Sequence, residues 1–226
     1  MYRRIKTQVN ILIRQKGAQL CFLIMLSLII GNYIVNLFDY RNIDQACVPN
    51  FLKLSVLDDE NKFGWYFMTF MTFLVVLPGG LSIAKEKKTR IDIHIISSCG
   101  GRLHYYIAKI VAVMLVTFCC FAIPFLIELV LNLCAFPIEE SESLLSVDIA
   151  YKQYCGEIQE CFLFDWFYKN PVLYVLARIG ISSVLLSLVA LIPLACSCVY
   201  SKYYAYLMVP VYLLFELFAR CTFSVF

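Results

Sequence analysis

The sequence predicts an all-α fold, a polytopic bundle of membrane-spanning helices, and three observations carry that prediction. Of the 226 residues, 62% are hydrophobic and only 15% charged, too little polar surface to cover a water-soluble core. Charge-poor intervals recur along the chain at about 20 residues or more, the length that crosses a hydrocarbon layer of roughly 30 Å. The segments between those intervals alternate between basic and acidic, as expected of connections that lie on opposite sides of a bilayer.

Taken in order, residues 1–16 hold Arg3, Arg4, Lys6, Arg14 and Lys16 with no acid, interleaved with Ile5, Val9, Ile11, Leu12 and Ile13. That pattern predicts a short helix lying in the cytoplasmic interface; a merely positive flank is the plainer reading. The first span is 17–38, too long an apolar run for a removable signal peptide and without a small-x-small cleavage site. A second follows at 63–84, a third at 107–135, a fourth at 172–198 and a fifth at 203–224. All five belong to one transmembrane domain covering 1–226.

The basic connection 85–105 joins the N-terminal segment on the cytoplasmic side, whereas the acid-rich connections 39–63 and 136–171 face outward. Within the long exterior loop, ECFLFDWFY has the aromatic content of a helix at the outer interface. A net charge of +3 gives no reason to expect nucleic acid as a partner.

Eleven cysteines are present. Cys21, Cys119, Cys120, Cys196 and Cys198 fall inside spans and read as small apolar packing residues. Cys47, Cys155 and Cys161 are expected outside and Cys134 near the outer boundary, so a disulfide is open there without an assignable pairing. No cysteine spacing suits zinc.

The motif search excludes several chemistries. There is no phosphate-cradling loop, no dinucleotide fingerprint and no nucleophile elbow. His94 and His104 lack metal-site spacing and read as surface or structural residues. The chain is therefore not expected to be an enzyme, and no cofactor or metal is expected in it.

Glu128, Arg178 and Glu216 fall inside predicted spans and are the candidate intramembrane ionisable sites. Charge within hydrocarbon is costly and often functional. All three lie toward the outer side, where a structural Glu128–Arg178 pair, a role on a substrate path, or snorkelling to the interface are the competing readings.

The connection AKEKKTRIDIHIISSCGGRLHYYIAK, residues 84–109, has Gly100 and Gly101 to end one short helix before Arg102 begins the next. Ile91, Ile93 and Ile95 alternate as in a strand, but a short helix presenting Ile91, Ile95 and Ile96 suits a helical membrane protein better. Its apolar face would meet a membrane surface or a cytoplasmic partner.

The basic interfacial N-terminus, the second span running into AKEKKTR, the closing GGRLHYYIAK and the later stretch NPVLYVLARIGISSVLLSLVALIPLACSCVYSKYYAYLMVPVYLLF resemble one family. It is the membrane (permease) subunit of type-2 ATP-binding-cassette exporters, as found in Gram-positive peptide and drug exporters. The resemblance covers over a third of the chain and rests on topology plus a few charged positions. It implies that residues 86–100 form a coupling element docking on a separate cytoplasmic ATPase, with Glu86, Lys87, Arg90, Ile91, Ile95 and Arg102 in the coupling role. It further implies ATP and Mg2+ on that partner, a second permease copy or a paralogue, a place in the bacterial cytoplasmic membrane, and a peptide or lipid-like cargo. The family usually has six spans, against five here. A non-transporting accessory or immunity subunit is the alternative class, and a membrane enzyme the third.

Overall fold

The structure, a computed structural model, describes residues 2–42, 48, 51, 53–57, 61–80, 82–88, 102–137, 170–199 and 209–213. Among these every regular element is a helix: α1 (Tyr2–Ile13), α2 (Lys16–Asp39), α3 (Lys62–Val76), α4 (Ser82–Lys88), α5 (Arg102–Ala135), α6 (Pro171–Val189) and α7 (Leu191–Val199). Three helical stretches are long and apolar enough to cross a membrane: Lys16–Asp39, Leu103–Ala135 and Pro171–Ser197. Their outward faces carry large apolar side chains, Leu23, Phe38, Val130 and Leu185 among them, that a water-facing surface would not hold in such number.

The interval 63–84 does not run as one helix. α3 stops at Val76 after 15 residues, about 22 Å of rise, and α4 starts only at Ser82. Leu77-Pro78-Gly79-Gly80 accounts for the break: the residue before a proline is pushed out of the α region, and two glycines tolerate the turn that follows. The turn is buried, so its polar groups need partners. The Gly80 N–H donates to the Val76 carbonyl at 2.9 Å, and both the N–H and the hydroxyl of Ser82 donate to the Gly79 carbonyl, at 3.1 and 2.8 Å.

Proline also marks the junction of α6 and α7. In a continuous helix the Pro193 ring would collide with the carbonyl of Val189, and α6 ends at Val189. At its other end α6 opens with Pro171 in the first helical position behind Asn170, a favoured capping residue whose carbonyl accepts from the Tyr174 N–H at 3.1 Å.

The chain divides into two compact units. One comprises Met1–Met25, Met68–Ala122 and Ser182–Phe226. Its core joins Leu12 of α1, Cys21 and Met25 of α2, Leu74 to Val76 of α3, and Ala112, Val113, Val116 and Phe121 of α5, and α4 packs on α7. A helix forms over Tyr2–Ile13, with Leu12 and Gln8 turned inward and Lys6, Asn10 and Ile13 outward. The thiol of Cys21 donates to the Leu74 carbonyl at 3.4 Å, so its reading as a packing residue fits.

Gly79 in this unit admits no side chain. A methyl added there would lie 2.6 Å from Val113 Cγ1. We expect Gly79→Ala to destabilise the chain by about 1–3 kcal/mol, the usual cost of overpacking, and a second change, Val113→Ala, to recover part of it. Thermal unfolding of the single and double variants measures this, and equal losses in both would refute the contact.

The other unit comprises Leu26–Phe67 and Ile123–Ile181. Phe67 and Phe125 meet edge to face at 5.4 Å, and Tyr40 meets Phe136 the same way at 6.4 Å. The segment 51–57 is folded onto the helices, with Phe51, Leu54, Val56 and Leu57 all buried.

Candidate functional site

Two clusters of buried polar side chains stand out, one in each unit. The first joins three helices around an ion pair. Glu86 of α4 and Lys109 of α5 are in direct contact, with residue exposures of 5% and 0%. The Lys109 ammonium also donates to Gln8 Oε1 of α1 at 3.1 Å, and the Tyr105 hydroxyl donates to Glu86 Oε2. Each carboxylate oxygen of Glu86 thus has a donor, which is what makes a buried charge pair tolerable.

The Glu86 carboxylate is thus buried against Lys109 and Tyr105. Its charge is consumed internally, because α4 faces it toward Lys109. Lys87 lies in α4, within the predicted coupling segment, and Arg102 is the first residue of α5, just after it. Arg90, Ile91 and Ile95 lie outside the described residues, as do Glu216, Cys47, Cys155, Cys161, the ECFLFDWFY stretch and most of the predicted fifth span.

The second cluster is built on Glu128 of α5, which is 2% exposed. Its Oε1 accepts from the backbone N–H of Val56 at 2.7 Å and from Asn32 Nδ2 of α2 at 3.0 Å. Its Oε2 accepts from the Ser55 hydroxyl at 3.3 Å. Asn36 and Asn61 extend the network: the side-chain amides of Asn32, Asn36 and Asn61 all donate to the Leu54 carbonyl, at 2.8, 3.1 and 3.0 Å. Four helical or loop side chains thereby fasten segment 54–56.

Arg178 of α6 reaches the next residue of the same loop, donating to the Leu57 carbonyl. The expected Glu128–Arg178 pairing is therefore indirect. Acid and base bind successive stretches of one short loop, Val56 by its N–H and Leu57 by its carbonyl, rather than each other. A negative and a positive charge so placed oppose each other across the peptide dipoles between them and hold the loop's register.

One turn along α5 from Glu128, Asn132 is 1% exposed, and its Oδ1 has no hydrogen-bond partner. A cavity of about 10 Å³ lies against it, lined also by Ser55, Phe51, Phe125, Val175 and Ile179. Among the described residues no group of three or more His, Cys, Asp or Glu gathers as a metal site.

Reasoning from sequence found Glu86, Glu128 and Arg178 but missed their partners. The available signal was spacing: Asn32 with Asn36, and Glu128 with Asn132, each put two polar residues on one helix face within an apolar run. Comparison with known proteins gives no match, whether among family models, curated proteins or solved structures.

Proposed function

We propose that the chain is the permease subunit of an ATP-binding-cassette exporter, with its N-terminus and the 85–105 connection on the cytoplasmic side of the membrane, five spans, and residues 86–100 as the element that engages a separate ATPase. The observation that carries this reading is the clamp of Glu86, Lys109, Tyr105 and Gln8. A segment that transmits force must be held at both ends. The clamp ties α4, whose last residues begin the segment, to α5, which follows it, and through Lys109 to α1. Glu86 and Lys109 act here as positioning residues, and the contact itself falls to Arg90, Ile91 and Ile95 with the basic side chains Lys87 and Arg102 around them, an apolar centre inside a charged rim. Energy comes from ATP and Mg2+ on the partner, and a second permease copy or a paralogue completes the pathway. The charge-poor, aromatic composition of the spans favours an amphipathic peptide or lipid-like cargo over an ion.

The test is affinity purification of the tagged full chain from its native membrane in mild detergent, beside a variant carrying Arg90→Ala and Ile91→Ala. We expect an ATPase to accompany the first and to be lost from the second, with both chains equally abundant and equally stable. If neither preparation contains an ATPase, the exporter reading fails; if the ATPase accompanies both, residues 86–100 are not its docking element.

A further inference from the structure

We propose that Glu128, Ser55 and Asn132 form a proton-loading site, in which a single water held between Asn132 and Ser55 passes a proton to the Glu128 carboxylate.

The argument begins with how unequally the two carboxylate oxygens are served. Oε1 is saturated by two fixed donors, the Val56 backbone N–H at 2.7 Å and Asn32 Nδ2 at 3.0 Å. Neither donor can become an acceptor, so Oε1 remains a carbonyl-like oxygen in either state of the acid. Oε2 has one partner, the Ser55 hydroxyl, at a long 3.3 Å. A hydroxyl donates or accepts by rotating its proton. With the acid ionised, Ser55 donates to Oε2; with the acid protonated on Oε2, the new O–H donates to Ser55 Oγ. The rest of the network is unchanged, so the site accommodates both states without repacking.

Asn132 supplies the approach. Its Oδ1 is an acceptor buried at 1% exposure with no protein donor, and it borders the cavity that Ser55 also lines. About 10 Å³ is room for one water and nothing larger, and a buried water needs at least two polar partners. Asn132 Oδ1 accepts one of its hydrogens and Ser55 Oγ provides the second polar contact, the remaining walls being apolar. A monovalent cation would find only two oxygen ligands on side chains there, too few for a hard ion.

The proton step balances by relay. A hydronium in the cavity gives one proton to Ser55 Oγ as the Ser55 hydroxyl proton moves to Glu128 Oε2, leaving a neutral water, a serine and a carboxylic acid. Among the described residues the charged groups on the surrounding elements are Arg178, occupied by the Leu57 carbonyl, Lys53 beside Leu54, and Asp39, Arg41 and Lys62 at exposed helix ends. None of them hydrogen-bonds or ion-pairs with the carboxylate itself.

The test uses the full chain reconstituted in lipid and read by infrared difference spectroscopy between neutral and acidic buffer, in H2O and D2O. We expect a deuterium-sensitive carboxylic C=O band on acidification in the wild type that is missing in Glu128→Gln. Glutamine presents the same Oε1 acceptor and an amide donor toward Ser55, so that variant should keep a thermal midpoint close to the wild type's. Ser55→Ala should shift the band in frequency, and Asn132→Leu should slow its exchange with D2O several-fold. If the wild type shows no deuterium-sensitive carboxylic band, or one that Glu128→Gln leaves unchanged, the proton site is refuted. If Asn132→Leu and Ser55→Ala both exchange at the wild-type rate, the water relay is refuted.

Discussion

Lys109→Met is expected to be among the most damaging single changes in the chain, lowering stability by about 3–5 kcal/mol, because it leaves the Glu86 carboxylate buried with no countercharge. Methionine fills a similar volume, so the loss reports the charge and not a void. The telling comparison is the double variant Lys109→Met with Glu86→Gln. There the buried charge is gone, Tyr105 still has an oxygen to donate to, and the glutamine amide can donate to Gln8. More than half of the lost stability should return, as expected when a buried ion pair is removed whole. Thermal midpoints of the three proteins in one detergent decide the matter: a double variant no better than Lys109→Met would mean that the pair does not act as a closed unit. Under the proposed function the single variant should also weaken co-purification of the ATPase more than the double one, since the clamp positions the connection that follows α4.

The second large effect is at Glu128, where two substitutions of similar size should part company. Glu128→Leu removes every acceptor from the cluster and strands the Val56 N–H in an apolar surrounding, at a cost of about 3 kcal/mol. Asn32 suffers less, because its amide keeps the Leu54 carbonyl. Glu128→Gln retains the Oε1 acceptor and should cost under about 1 kcal/mol. Measured unfolding midpoints that fall equally for Leu and Gln would show that the carboxylate charge, not its hydrogen-bond geometry, holds segment 54–57 in place.

What could be read from the sequence follows the range of the physical signals. Fold class is a bulk property: apolar runs of the right length survive any arrangement of neighbours, and the three longest helical stretches, in α2, α5 and α6 continuing into α7, lie where charge-poor runs placed them. Local backbone chemistry was present too, but hydropathy outvoted it. Pro78-Gly79-Gly80 is a strong turn signal, yet the interval 63–84 reads as one span when only charge is counted. Long-range pairing was the least legible. Glu86 sits among lysines in the sequence, and nothing local announces that its partner is Lys109, 23 positions later. Glu128 and Arg178 were correctly brought to one neighbourhood, but a backbone segment intervenes whose hydrogen bonds no side-chain pattern encodes.

The early end of α3 has a consequence for how the chain enters the bilayer. Insertion machinery weighs the hydropathy of a segment before its neighbours exist, and the stretch from 63 to 84 is uncharged along its whole length. Val113, against which Gly79 lies, belongs to a stretch synthesised later. The bend at 77–80 is written locally in Pro78, Gly79 and Gly80, so Val113 packs against a turn that the chain already favours when the later stretch arrives. Substitutions at Gly79 should accordingly leave membrane integration untouched and reveal themselves only in the maturation of the inserted protein.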